Sequence, residues 1–295
     1  MDASDLRMFE AVARLGGIGR AAAELNTVQS NVTARIQALE HDLGCTLFDR
    51  HSRGVTLTEA GTRLLPYAAE VADVLARARR AVLDDGTPRG PLVIGSLETT
   101  AGLRLPPVLA AFSQACPAVD LTLRTGTTAE SIADVLARRL EGAFVAGPVD
   151  HPDLLQTVVF REELVLVTAF ALRRLPDLRQ VAGLRTLVLR VGCSYRQRLE
   201  TVLATRGILD VRCQEFGSLD AILGCIGAGM GVTLLPRGVV AAAQREGRVA
   251  VHPLPEAEAM VDTLFVRRRD VRMTRALAAF LHHVQAAETV SAAAA

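Results

Sequence analysis

This chain has no lysine: every basic residue among its 295 positions is arginine. Nor is it rich in positive charge, since 33 basic residues face 32 acidic ones and the formal net charge is +1. The first 57 residues keep that balance, with Arg7, Arg14, Arg20, Arg35, Arg50 and Arg53 against seven acids. Such a chain does not bind nucleic acid as a bulk polycation; binding of that kind must come from the placement of a few arginines. Cysteine is sparse and odd in number, and Cys45, Cys116, Cys193, Cys213 and Cys225 include no CxxC pair. That argues against a disulfide framework and a structural zinc site, and leaves small buried apolar residues. No run reaches the ~18 uncharged apolar residues of a membrane span. The opening "MDASDLRMFEAV" lacks the basic-then-apolar order of a secretory signal. A cytoplasmic protein without a membrane partner is expected.

Half of the residues are apolar, enough for a sizeable core in two or three domains. "DLRMFEAVARLGG" sets Leu6, Phe9, Val12 and Ala13 on one helical face and ends at Gly16 and Gly17. "IGRAAAELN" follows as a short helix with Ile18, Ala21, Ala22 and Leu25 inward. Asn26 and Thr27 are expected to cap a third helix, whose residues Val28, Val32, Ile36, Leu39 and Leu43 recur at helical spacing and read as its core side. Its other side carries Gln29, Ser30, Asn31, Thr33 and Arg35. These polar groups are costly to bury and suited to base edges and phosphates. Two short helices meeting at a tight turn make a helix-turn-helix. "CTLFDRHSRGVTLT" then reads as a β-hairpin wing with Arg50 and Arg53 near its tip.

A long helix follows, with Leu64, Ala68, Val71, Leu75, Ala78 and Val82 four and three apart, a seam for the same helix of a second chain. Pro66 is expected to bend or interrupt it. "DDGTPRGP" is a linker. Beyond it, strands are predicted at 92–96, 119–126, 142–147, 163–168, 185–190, 211–216, 231–236 and 262–268, mostly separated by helices. This alternation implies α/β architecture with mainly parallel sheets. A last helix is expected over 272–285, before a fraying alanine-rich tail.

"LRMFEAVARLGG", "RAAAELNTVQSNVTARIQALEHDLGCTLFDR" and "GVTLTEAGTRLLPYA" resemble the N-terminal region of LysR-type transcriptional regulators. "RVGCSYRQRLE" and "EFGSLDAILGCIGAGMGVTLLP" resemble one branch of that family's effector domain. The resemblance spans nearly the whole chain. It implies a winged helix-turn-helix (1–59), a linker helix and hinge (60–90) and a two-lobed α/β domain like periplasmic binding proteins (91–295). Lobe I is placed at about 91–164 and 266–295, and lobe II at about 165–265. Many members carry Ser-Arg where Thr33-Ala34 stand, and serine where Gly17 stands. The first departure implies a different base preference; the second costs little, because glycine is an acceptable N-cap.

Within this frame Gln29, Asn31, Thr33 and Arg35 are candidates for base edges, and Thr27, Ser30, Arg50 and Arg53 for phosphate. Double-stranded DNA is the expected partner, bound by a homodimer; the resemblance implies a tetramer. In the two-lobed domain a small-molecule effector is expected where strands end and helices begin. Glu98, Thr99, Thr100, Thr127, Thr128, Cys193 and Ser194 stand at three such junctions, and Ser218 and Phe265 are candidates for the same space. Hydroxyls at helix N-termini favour a carboxylate, Glu98 an amine, and an amino-acid-like zwitterion suits both. No cofactor, metal or catalytic residue is expected. "GCIGAGMGV" follows a helix and precedes a strand, the reverse of a dinucleotide loop. A redox sensor built on Cys193, with a thiol pKa lowered by a helix N-terminus and resolved by Cys213 or Cys225, is a competing reading. A solute-binding protein is disfavoured by the first 90 residues.

Overall fold

The computed structural model describes residues 1–51, 54–82, 86–172, 174, 178, 183–209 and 211–293. They form two units, Met1–Gly86 and Thr87–Ala295.

In the first unit, α1 (Ala3–Leu15) starts at a capping box in which Asp2 accepts the Asp5 amide and Asp5 accepts the Asp2 amide. It stops at Gly16, whose φ of +64° is the left-handed closure that glycine provides. Two further helices, α2 (Ile18–Glu24) and α3 (Gln29–Leu43), pack against it around Phe9, Val12, Ala21, Val32, Ile36 and Leu39. The wing is an antiparallel pair, β1 (Phe48–His51) and β2 (Gly54–Leu57). Glu40 of α3 anchors it by accepting the Leu47 and Phe48 amides at 2.7 and 3.2 Å.

The ends of α3 differ from the periodicity reading. Val28 is 65% exposed and Leu43 38%. Asn26 and Thr27 do not cap the helix; Val28 is the N-cap and offers no side-chain bond. A helical stripe assigns a direction, but α1 and α2 cover only the middle turns.

The long helix α4 (Glu59–Val82) runs through Pro66 without a break. Its expected seam divides. Ala68 is fully buried, with Leu64 and Val71 packed beside it, all against the core of α1–α3. Leu75, Ala78 and Val82 are exposed, as are Tyr67 and Val74, which the heptad register passed over. The first half of the stripe closes the chain's own domain, so only the second half is free for another chain.

The second unit is built on two strands that cross it, β6 (Leu154–Ala169) and β11 (Met260–Arg268). Lobe I adds β3 (Gly90–Ser96), β4 (Val119–Thr125) and β5 (Gly142–Ala146). Its helices are α5 (Glu98–Leu103), α6 (Leu105–Ala115), α7 (Thr128–Leu136) and the terminal α12 (Arg275–Ala293). Lobe II holds β7 (Arg185–Val188), β8 (Arg212–Glu215), β9 (Thr233–Pro236) and β10 (Val249–Pro253). Around them lie α8 (Ser194–Thr205), α9 (Leu219–Gly227), α10 (Arg237–Arg245) and α11 (Glu256–Ala259).

The sheets are mixed rather than mainly parallel. β3 pairs parallel with β4 and β5, and β7 with β8. β11 runs antiparallel to both β5 and β6, while β9 and β10 lie antiparallel on β6. The chain passes between the lobes on β6 and returns on β11, which forces the antiparallel geometry. β10 was missed, β6 is longer than predicted, and α12 continues beyond residue 285.

Phe265 does not line the space between the lobes. It is 3% exposed and packs edge-on against Phe144, ring centroids 5.0 Å apart, inside the lobe I core with Leu92, Phe112 and Phe280. Strand β11 is covered on both faces there, so alternation could not say which way the ring turns.

Candidate functional site

Two surfaces carry chemistry. In the first unit, the opening turns of α3 expose Gln29, Ser30 and Asn31, with Thr27 and Thr33 half-buried. By helical geometry Gln29 and Thr33 share one flank and Asn31 and Arg35 the other. Asn31 Nδ2 donates to Thr27 Oγ1 at 2.9 Å, which holds both residues beside the helix start. The Gln29 amide lies against Gly19 of α2, where an added Cβ would fall 2.8 Å from Nε2. Arg35 is committed within the chain: its guanidinium donates to Asp5 Oδ1 at 2.8 Å and Asp2 Oδ2 at 3.2 Å. A base contact by Arg35 requires those pairs to open. The Asp2 carboxyl is held below its usual range, first by the Asp5 amide and then by the Ser4 amide and Arg35. Arg50 is 3.8 Å from Glu40 at the base of the wing. Arg53 lies outside the described residues.

In the second unit, a cleft between the lobes is lined by Leu97, Glu98, Thr99, Thr125–Thr127, Leu189, Arg190, Cys193, Tyr195 and Gly217. The strand-to-helix junctions thus bring together Glu98, Thr99, Thr127 and Cys193. Thr100 is buried away from the lining. Ser218 is the N-cap of α9, its hydroxyl accepting the Ala221 amide at 3.4 Å rather than lining the cleft. Thr128 and Ser194 stitch the lobes together, Ser194 Oγ donating to Thr128 Oγ1 at 3.2 Å. Glu98 Oε1 reaches across from lobe I to accept the Leu219 amide at the start of α9, at 3.2 Å. The protein's own carboxylate therefore occupies the anion position of that helix N-terminus.

With the cleft drawn together in this way, its cavity is about 30 Å³, room for a water or two. The start of α7 is likewise occupied by a capping box between Thr127 and Glu130. The Thr127 amide, the largest influence, holds the Glu130 carboxyl below its usual range.

Sequence reasoning missed Arg190 and Tyr195. Tyr195 Oη and Thr99 Oγ1 are both buried and neither has a hydrogen bond of acceptable geometry. Burial, the largest influence, pushes the Tyr195 hydroxyl up to about 12, while the neighbouring Thr99 hydroxyl pulls the other way. The available signal was an amphipathic ring in the first turn of a helix that opens on the cleft. Burial also pushes the Cys193 thiol up, outweighing the Arg196 and Tyr195 amides that favour the thiolate. This reverses the lowered pKa that a redox sensor or nucleophile at this position needs. Behind the cleft, Arg104 clamps the buried Glu162 of β6 with two bonds, at 2.7 and 3.1 Å.

Among the described residues no helix is long and apolar enough to cross a membrane. Residues 3–62 match the family model described as "Bacterial regulatory helix-turn-helix protein, lysR family", and residues 85–288 match "LysR substrate binding domain". The HTH-type transcriptional regulator GltR of Bacillus subtilis (strain 168) is 45% identical over 280 residues, 95% of each chain. CzcR of Bacillus anthracis is 39% identical over 285 residues, 97% of each chain. Among solved structures, full-length CbnR complexed with its target DNA aligns with a TM-score of 0.66 at 27% identity, covering 97% of this chain and 100% of that one. With both domains matched in order and relatives aligned almost end to end, the chain belongs to the LysR family of DNA-binding transcriptional regulators, with an N-terminal helix-turn-helix and a C-terminal effector-binding domain.

Proposed function

We propose that the first turns of α3 read a major groove, that the free half of the α4 stripe pairs two chains, and that the cleft takes a small amino-acid-like zwitterion or carboxylate. The likeness to CbnR, solved on its target DNA, supports DNA as the partner, and the exposed apolar residues Leu75 and Val82 support the pairing role of α4; two such dimers would form the tetramer that the family likeness implies. Effector binding shifts the balance between lobe arrangements and so changes how the paired DNA-binding units meet their operator.

The buried hydroxyls of Thr99 and Tyr195, which lie near each other without a hydrogen bond of good geometry, carry the cleft assignment. An unmade hydrogen bond at a buried group costs ~1–3 kcal/mol, a debt that a polar ligand between them would remove. Glu98 and Arg190 add one charge of each sign to the same lining, which suits a molecule bearing both. The closed cavity is too small for any such molecule, so entry requires Glu98 to leave Leu219 and Ser194 to leave Thr128.

The test is a melting-temperature screen of the full chain against amino acids, simple carboxylates and simple amines, followed by calorimetric titration of the best ligand. Tyr195→Phe is expected to leave the empty chain as stable as before or slightly more so, and to weaken the ligand about tenfold, the loss of one buried hydrogen bond. If Tyr195→Phe binds that ligand as tightly as the original chain, the hydroxyl does not serve the effector. A preference for amines alone would overturn the ligand class.

A further inference from the structure

We infer that Val28 is a specificity residue that reads the C5-methyl group of a thymine in the major groove. The inference rests on the reading of α3 as the DNA-recognition helix. Val28 occupies the N-cap of α3 in extended conformation, φ −93° and ψ 150°, and gives the helix no side-chain bond. Serine, threonine, asparagine and aspartate are strongly favoured there, and valine is among the poorest choices. A local rule broken at an exposed position points to a demand from outside the fold.

The side chain does not serve the core instead. At 65% exposure Val28 stands out from the domain's apolar cluster; among the described residues of 1–58 the other exposed large apolar side chains are Met1, at 63%, and Leu43, at 38%. Met1 sits at the chain terminus and Leu43 at the far end of α3. The polar residues beside Val28 are held back from it, Asn31 on Thr27 and Gln29 against Gly19. A branched apolar side chain is thus left exposed at the leading end of the helix. In the major groove the thymine methyl is the apolar feature that such a group can meet, and neither guanine nor cytosine nor adenine offers one.

The full-length chain is used to enrich a duplex from a random-sequence library. Each thymine of the enriched half-site is then replaced singly by deoxyuridine, which deletes the methyl and leaves base pairing intact. One position per half-site is expected to weaken binding by about fourfold, the effect of losing one buried methyl. Val28→Ser, which removes the valine methyls and supplies a capping hydroxyl, should bind the thymine and uracil duplexes equally at that position. The inference is overturned if no uracil substitution weakens the original chain, if the enriched half-site contains no thymine, or if Val28→Ser keeps the same thymine preference. Those three results leave DNA reading by α3 standing. A chain that enriches no duplex at all overturns that reading and this inference with it.

Discussion

Gly192→Ala is expected to abolish most of the effector response while leaving the fold intact. Gly192 sits in the loop that leads into α8, with φ +93°. A Cβ there would fall 2.9 Å from Thr127 Oγ1 and 3.1 Å from the Ala129 Cβ, across the cleft in lobe I. The close approach is backbone of lobe II against the short side chains of Thr127 and Ala129 at the start of α7, and the Thr127 hydroxyl is held in place by the Glu130 amide that it caps. Two effects are therefore combined: backbone strain of roughly 1 kcal/mol, and a steric wedge between the lobes. Gly207 separates them, because its φ is +74° and an added Cβ meets nothing within 4 Å. Gly207→Ala should lower the melting temperature by a few degrees and leave ligand affinity alone. Gly192→Ala should show a similar or somewhat larger thermal loss together with ligand binding tighter by up to about tenfold, because the wedge already favours the parted lobes that the ligand needs, so that little change is left for the ligand to cause. Equal ligand affinity in the two variants would mean that the close contact at Gly192 does not have to break for the ligand to bind.

Leu75→Glu is expected to dissociate the dimer. Leu75 is 48% exposed on α4, in line with Ala78 and Val82 and beyond the turns that pack on the chain's own core. Two-fold symmetry places two new carboxylates in one seam. Burying an unpaired charge costs several kcal/mol, so a rise of at least a hundredfold in the dimer dissociation constant is expected, by ~3 kcal/mol or more. Sedimentation reads the change directly, and operator affinity should fall with it because a monomer presents one α3 to one half-site. Leu64→Glu tests the division of the stripe: Leu64 packs against the chain's own core, so it should lower the melting temperature first. If Leu75→Glu remains dimeric at the original concentrations, α4 is not the pairing element.

The helix-turn-helix was legible because α1, α2 and α3 are short, amphipathic and separated by glycine or a polar turn, so that period and punctuation agree. Val28 was misplaced because spacing assigns a direction around the axis but not where the covering helices stop. The α4 stripe misled for a related reason: one apolar row serves the domain core through Leu64, Ala68 and Val71, then turns outward, without any change of heptad spacing. In the second unit the charged crossing "FREEL" made β6 look shorter than it is, since Glu162 enters the interior only with Arg104 as partner. The cleft was half legible. Glu98, Thr99, Thr127 and Cys193 follow predicted strand ends; Arg190, the last residue of one predicted strand, and Tyr195, next to Ser194 in α8, were passed over because hydroxyls and a thiol beside them matched the pattern sought. Phe265 was lost to the double coverage of β11.

The central claim is that the leading turn of α3 selects the DNA sequence, and Gln29 tests it most directly. The full-length chain and Gln29→Ala are titrated, at one fixed salt concentration, into the enriched duplex and into the same duplex with each half-site base pair changed in turn. Loss of the Gln29 amide is expected to weaken the enriched duplex by ~1–3 kcal/mol and to erase discrimination at one base pair per half-site. Unchanged affinity together with an unchanged pattern of base preference would contradict the claim.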